Sequence, residues 1–223
     1  MRNFLFILFI SVLLFSCKKD NNDYVTPDIG QGYSGLELGS YVEYDVDSFF
    51  YDDFTGTIDT SIFKIKEVVA ESYIDLEGDE AFKIHRYKKD NDTTAWFLKD
   101  VWSAKLTSTN YQKTEENVKF VRLIFPVREG SLWNGNAMNN LSGREYKYTT
   151  IDAVENIGGN ALTKVLTVYQ LENLNLIEQQ QFIEKYAKSV GLVYKKNMDL
   201  VRDNLSSSWR GYDVTYTLRS FGN

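Results

Sequence analysis

One cysteine, Cys17, and one histidine, His85, set the outer limits of the chemistry open to this chain. A Ser–His–Asp or Cys–His nucleophile would have to use His85. A zinc site draws on several Cys and His ligands, and the chain does not supply them. His85 sits in an alternating segment beside Lys83 and Tyr87, as a residue on a sheet face does. Neither a G-x-S-x-G elbow nor a phosphate-cradling glycine loop is present. The 31 acidic residues leave a two-carboxylate hydrolase open, although none of them is marked as a pair. Asp45, Asp47, Asp52, Asp53 and Asp59 crowd one stretch, but they lack the D-x-D-x-D-G spacing of a calcium loop. A solvated strand face and turn is the expectation there, with no metal and no cofactor. Of Trp96, Trp102, Trp133 and Trp209, Trp133 stands apart, among Asn134, Gly135, Asn136, Asn139 and Asn140. An indole ringed by amides suits a carbohydrate or a protein partner, or it pins a long loop to the core. Trp133, Asn134 and Asn136 are therefore the candidate contact residues.

Cys17 lies at a seam. Met1-Arg2-Asn3 opens with positive charge, and Phe4 to Phe15 is apolar apart from Ser11. Lys18-Lys19-Asp20-Asn21-Asn22-Asp23 follows directly. The apolar run is about half of the ~20 residues a spanning helix needs, and it reads as the h-region of a signal peptide. Leu14-Phe15-Ser16-Cys17 resembles a lipobox. That resemblance implies cleavage before Cys17 and acylation of its thiol and new N-terminus with diacylglycerol and a palmitate-type chain. Several acyl chains together hold a membrane stably, where one alone is marginal. Lys18 is compatible with release to the outer membrane. The expected organisation is a signal peptide at 1–16, a lipidated flexible tether at 17–35 and one domain at 36–223.

Composition narrows the partners of that domain. The 223 residues carry 25 Lys+Arg against 31 Asp+Glu, a net charge of −6, which argues against nucleic acid. With one cysteine there is no internal disulfide, so the core itself must supply stability. Aromatic residues make up 15% of the chain, which favours strands. From Leu36 onward, alternating segments recur between turn signals. They include 41–51, 60–72, 81–88, 95–107, 118–127, 145–153, 162–171 and 211–221. Gly158-Gly159 marks one hinge and Gly191 another. Residues 174–188 have helical propensity but strand-like neighbours, and a strand pair turning at Gly191 is the favoured reading over a helix. Short connections imply antiparallel pairing. The fold class is mainly β, an antiparallel sheet forming a half-barrel or a sandwich, with little helix beyond the signal peptide.

"FPVREGSLWNGN" (125–136), "EKYAKSVGLVYKK" (184–196) and "YVEYDVDSFFYDDFTGTIDTS" (41–61) together resemble a group of uncharacterised outer-membrane lipoproteins of Bacteroidota. "YAKSVGLV" is also similar to a turn of half-barrel envelope proteins of the LolA/LolB kind. The first resemblance implies fold and location, and the run Lys19-Asp20-Asn21-Asn22-Asp23 resembles the export tag of surface lipoproteins of that phylum, which favours the cell surface over the periplasmic face. Asp92-Thr93-Thr94 fits the pattern glycosylated on threonine in exported proteins of that phylum, which makes Thr93 a candidate. The expectation is a non-catalytic accessory or binding subunit of an envelope membrane-protein complex, held to the bilayer by Cys17. A stand-alone binder of glycan or lipid is one alternative, and a carboxylate hydrolase is another.

Overall fold

The computed structural model describes residues 27–203 and 208–223. Cys17 and the expected signal peptide lie outside the described residues. A 3-10 turn at Gln31–Ser34 precedes twelve strands. These are β1 (Tyr41–Asp52), β2 (Thr57–Ile74), β3 (Glu80–Lys89), β4 (Phe97–Leu106), β5 (Asn110–Glu115) and β6 (Val118–Ile124). They continue with β7 (Leu132–Asn134), β8 (Glu145–Ile157), β9 (Asn160–Leu174), β10 (Glu178–Ala187), β11 (Gly191–Val201) and β12 (Arg210–Gly222). Residues 174–188 thus form a hairpin tip and a strand, because pairing on both sides overrides their helical propensity.

The strands form one antiparallel sheet in which sequence neighbours pair, β6 with β7 excepted, and β12 pairs with β1. The ladder breaks only between β6 and β7, so the sheet curls almost into a closed up-and-down barrel. Backbone and side-chain hydrogen bonds bridge that seam. The Val121 amide donates to the Gly135 carbonyl at 2.9 Å, and the Trp133 indole N–H donates to the Val121 carbonyl at 2.9 Å. The Tyr148 hydroxyl donates to the Ile124 carbonyl and accepts from its amide, at 2.8 and 2.7 Å. Gly135 is required there, since a Cβ would fall 2.3 Å from the Tyr146 ring. At the β8–β9 turn both Gly158 and Gly159 have positive φ, as a two-residue hairpin needs.

Alternation along the strands divides inside from outside. Tyr44, Val46, Ile65, Val69 and Ile84 face inward, while Glu43, Asp45, Lys64, Lys66 and Lys83 face out. Cross-strand ion pairs lace the outer wall, among them Lys64–Asp45 at 2.6 Å and Lys66–Glu43 at 3.1 Å. A membrane-spanning barrel carries an apolar band there instead. Among the described residues, no helix is long and apolar enough to cross a membrane.

The two ends of the barrel differ. The lower end carries the start of β1 and the end of β12, and it is filled. Tyr33, Val69, Ile84, Tyr111, Leu123, Phe125, Tyr148, Leu166, Val168 and Tyr186 form its main cluster. Burying side chains of this size contributes roughly 1.5–3 kcal/mol each. Residues 28–36 lie across this floor, with the Tyr33 hydroxyl donating to Asp152 at 2.6 Å and Lys188 paired with Asp28. The last residues of the segment expected to be tether therefore belong to the packed domain.

Candidate functional site

Above the floor cluster, charged residues enter the inward phase of several strands. Arg86 lies above Ile84 on the ascending β3 and Lys113 above Tyr111 on the ascending β5, while Glu67 stands between Ile65 and Val69 on the descending β2. Glu184 stands between Phe182 and Tyr186 on β10, opposite Lys195 on β11. These groups form one network across the interior. Arg86 binds Glu67 at 2.9 Å and Asp100 at 2.8 Å, and Lys113 binds Glu67 at 2.7 Å. Arg122 binds Glu115 at 2.8 Å and Glu184 at 3.2 Å, and Lys195 reaches Glu184 at 3.3 Å. The Tyr186 hydroxyl donates to Glu184 at 2.6 Å.

Ionisation in this network is fixed by the partners. Burial pushes the Glu67 carboxyl up, but Lys113 and Arg86 outweigh it and hold it below its ordinary value. Burial likewise opposes ionisation of Glu115 and Glu184, and Arg122 with Lys195 reverses it in both. For Lys113, burial favours the neutral amine, yet Glu67 keeps it charged well above the ordinary range. Burial pushes the Tyr111 and Tyr146 hydroxyls up to about 12, so both remain neutral donors.

Above the network the barrel stays open as a two-lobed cleft. The first lobe, about 330 Å³, is lined by Glu67, Arg86, Trp102, Lys113 and Tyr216. Arg86 stacks over the Trp102 ring at 3.5 Å. The second lobe, about 390 Å³, is lined by Phe120, Arg122, Asn136, Arg144, Gln170 and Phe182. Glu115, Lys195, Asn197 and Tyr212 line both lobes, so the two are adjacent. Volumes of this size lie within the range of about 300–1,000 Å³ usual for small-molecule sites. The cleft opens at the upper end, where the β7–β8 loop supplies Asn136, Leu141 and Ser142.

The candidates named from sequence fall in different places. Asn136 is buried and lines the second lobe, with its amide donating to the Ser142 carbonyl at 2.6 Å. Trp133 is half-buried on the seam, tilted against Tyr148 with ring centres 4.5 Å apart and edge-on to Tyr146 at 5.7 Å. Asn134 uses its side-chain oxygen to accept from the Asn136 and Arg144 amides, both at 3.0 Å. Trp133 and Asn134 thus shape the seam and loop that carry Asn136. Thr93 is exposed at the β3–β4 tip, its hydroxyl donating to Asn91 at 2.6 Å. His85 faces outward next to Tyr87, away from the cleft. Asp45 is taken up by Lys64 and Arg219 rather than joining a calcium cluster. One acidic group does converge at the β2–β3 turn, where Asp75, Glu77 and Asp79 come together. The Lys105 ammonium contacts all three at 2.6–2.7 Å and neutralises the group from within the chain.

Sequence reading passed over the charged lining itself. Its signal was available as charges standing in phase with the apolar residues of a strand. No protein-family model, no curated protein and no solved structure matches this chain.

Proposed function

We propose that this protein is a non-catalytic, lipid-anchored binding lipoprotein of the outer membrane that takes a polar ligand in the open end of its barrel. The observation that carries this reading is the contrast of the two ends, one packed and the other left open as two adjoining lobes with charged residues in their lining. The described chain begins beneath the packed floor, so a tether from acylated Cys17 would hold the mouth away from the bilayer. The charged lining favours a polar ligand such as a glycan over a lipid, because an apolar chain would have to strip water from paired charges. It also disfavours the carboxylate hydrolase. That chemistry needs one carboxyl kept protonated as an acid, whereas Glu67, Glu115 and Glu184 are all held ionised.

Native mass spectrometry of the full-length protein, gently extracted from its own envelope, tests the reading. The expected result is a small polar molecule bound to the protein and absent from Asn197→Phe, which fills the strip shared by both lobes. A bare protein overturns it. The anchor has its own test. Cys17→Ala should leave the membrane fraction, and a variant that stays membrane-bound and normally cleaved overturns the lipid assignment.

A second reading draws on the rim. Phe50, Phe54, Leu141, Leu174 and Leu176 are exposed at the upper end, Phe54 almost fully at 95%. Apolar tips around a mouth favour docking onto a membrane-protein partner, which would make this chain an accessory subunit. A detergent pull-down that yields a stoichiometric partner with the wild type, and loses it with Phe54→Ser/Leu176→Ser, supports that role. Equal recovery from both counts against it.

A further inference from the structure

The two lobes of the mouth differ in how completely their polar groups are satisfied. In the first lobe the deep cations Arg86 and Lys113 are both paired with carboxylates. In the second lobe two buried donors are not. Arg122 Nε and Gln170 Nε2 have no hydrogen-bond partner, although both residues are more than nine-tenths buried and both line that lobe. An unmet buried donor costs about 1–3 kcal/mol, which an acceptor brought by a ligand recovers. We propose that this second lobe is a site for a small monocarboxylate bearing hydroxyl groups, such as a uronic acid or the acidic residue of a saccharide. The proposal rests on the reading that the mouth binds a polar ligand, and it names the ligand's chemistry.

Charge sets the first part of that choice. Arg122, Arg144, Lys195 and Glu115 line the lobe, and the buried Glu184 pairs with Arg122 and Lys195 from behind, which leaves one positive charge in excess. A single carboxylate matches that excess. A doubly charged phosphate would overshoot it and face Glu115. Arg144 is the group best placed to receive the carboxylate. Its guanidinium lies over the Phe182 ring at 4.5 Å and forms no ion pair among the described residues. A guanidinium held flat by a ring presents a fork that matches a carboxylate in two parallel hydrogen bonds.

The remaining lining suits hydroxyl groups. The Gln170 amide, the Asn197 amide and the Ser142 hydroxyl face the same space. Tyr212, 39% exposed and shared by both lobes, offers an aromatic surface to the apolar face of a sugar ring. Arg122 is already committed to Phe120, Glu115 and Glu184, so it is rigid before a ligand arrives. Preorganisation of this kind lowers the cost of ordering the site on binding.

Isothermal titration of the full-length protein in micelles tests the assignment with four probes: D-glucuronate, D-glucose, acetate and inorganic phosphate. Glucuronate is expected to bind, with glucose, acetate and phosphate each weaker by about tenfold or more, the worth of one charge-assisted hydrogen-bonded pair. Arg144→Gln should cut glucuronate affinity by about tenfold or more and leave glucose unchanged. Arg144→Lys, which keeps charge but loses the fork, should fall between. Unchanged thermal melts show that these variants are folded. Glucose equal to glucuronate, with no effect of Arg144→Gln, overturns the carboxylate assignment and leaves the mouth reading standing. Phosphate tighter than glucuronate overturns the single-charge argument. No binding by any probe overturns the assignment, while native mass spectrometry decides the mouth reading separately.

Discussion

The floor and the mouth of this barrel are built from the same twelve strands, yet they obey opposite rules. At the floor, inward positions are apolar, and large side chains such as Leu123, Tyr148 and Leu166 leave no measurable surface exposed. At the mouth, the same inward phase carries Glu67, Arg86, Lys113, Glu184 and Lys195. The difference teaches where stability and function are separated in a one-domain chain. Packing at one end fixes the strand register. The other end can then hold charges out of bulk water in a fixed arrangement. A buried ion pair is weak evidence for stability, since well-packed apolar residues often do as well. Its retention across the whole mouth fits a lining kept for what it contacts.

The sharpest way to break the comparison is to remove one charge from the mouth. Glu184 is buried at 2% exposure and binds Arg122, Lys195 and the Tyr186 hydroxyl. Glu184→Ala should destabilise the protein by about 3 kcal/mol in denaturant unfolding, because it leaves two cations, the buried Arg122 and the largely buried Lys195, sharing Glu115 alone. Arg122→Met/Glu184→Leu should recover most of that loss and still abolish ligand binding, since Lys195 and Glu115 keep each other. If the double variant is no more stable than the single one, the mouth network is a stability element and the contrast with the floor fails. At the floor the effect is different in kind. Leu123→Ala should cost about 2–5 kcal/mol as a cavity in the packed cluster. Ligand affinity measured on the folded fraction should not change.

Acid should separate the two ends without any mutation. Glu67, Glu115 and Glu184 are held below their ordinary value of 4.5 by neighbouring cations. Carboxyls depressed in the folded state stabilise it fully above the unfolded value. That contribution is lost as pH falls through their folded values. Thermal midpoints should therefore be flat from about pH 7 to 5 and fall progressively below about 4.5. In Arg122→Met/Glu184→Leu the fall should be shallower. An equally steep fall in that variant places the acid sensitivity on the outer wall instead.

How much of this was legible in the sequence depends on which physical signal carried each feature. The antiparallel β fold was legible because period-two alternation and short connections act locally, as in 162–171 and at Gly158-Gly159, where both residues adopt the positive φ the turn needs. The near-closure was not legible, because the β1–β12 pairing joins residues such as Tyr41 and Gly222 from the two ends of the domain. The candidate site was legible at Asn136 alone among its named residues, and only as part of an amide-rich loop. In 60–72 the alternation of Phe63, Ile65 and Val69 with Lys64 and Lys66 is the visible pattern, and Glu67 stands inside it between two inward apolar residues. Arg86 stands in the same way after Phe82 and Ile84. A charge in the apolar phase was the available clue. Its meaning depends on partners such as Lys113 and Asp100, which only tertiary structure brings near.

The smallest expected effect tests the seam that joins the two ends. Trp133 lines neither lobe of the cleft. Its indole N–H donates to the Val121 carbonyl, and its ring packs on Tyr146 and Tyr148. Trp133→Phe keeps most of the ring contact and deletes the donor, so it should cost about 1 kcal/mol, the net worth of one hydrogen bond. Ligand affinity should stay within about twofold, because Asn136 is held independently by Ser142 and by the Asn134 side chain. A larger loss of affinity with little loss of stability would mean that the indole meets ligand directly and that the seam opens in solution. Hydrogen exchange at the Val121 amide, bonded to Gly135 across the break in the ladder, separates these cases. Slow exchange in the wild type and faster exchange in Trp133→Phe, with affinity retained, makes the tryptophan a clasp between β6 and β7 and leaves recognition to the charged lining behind it.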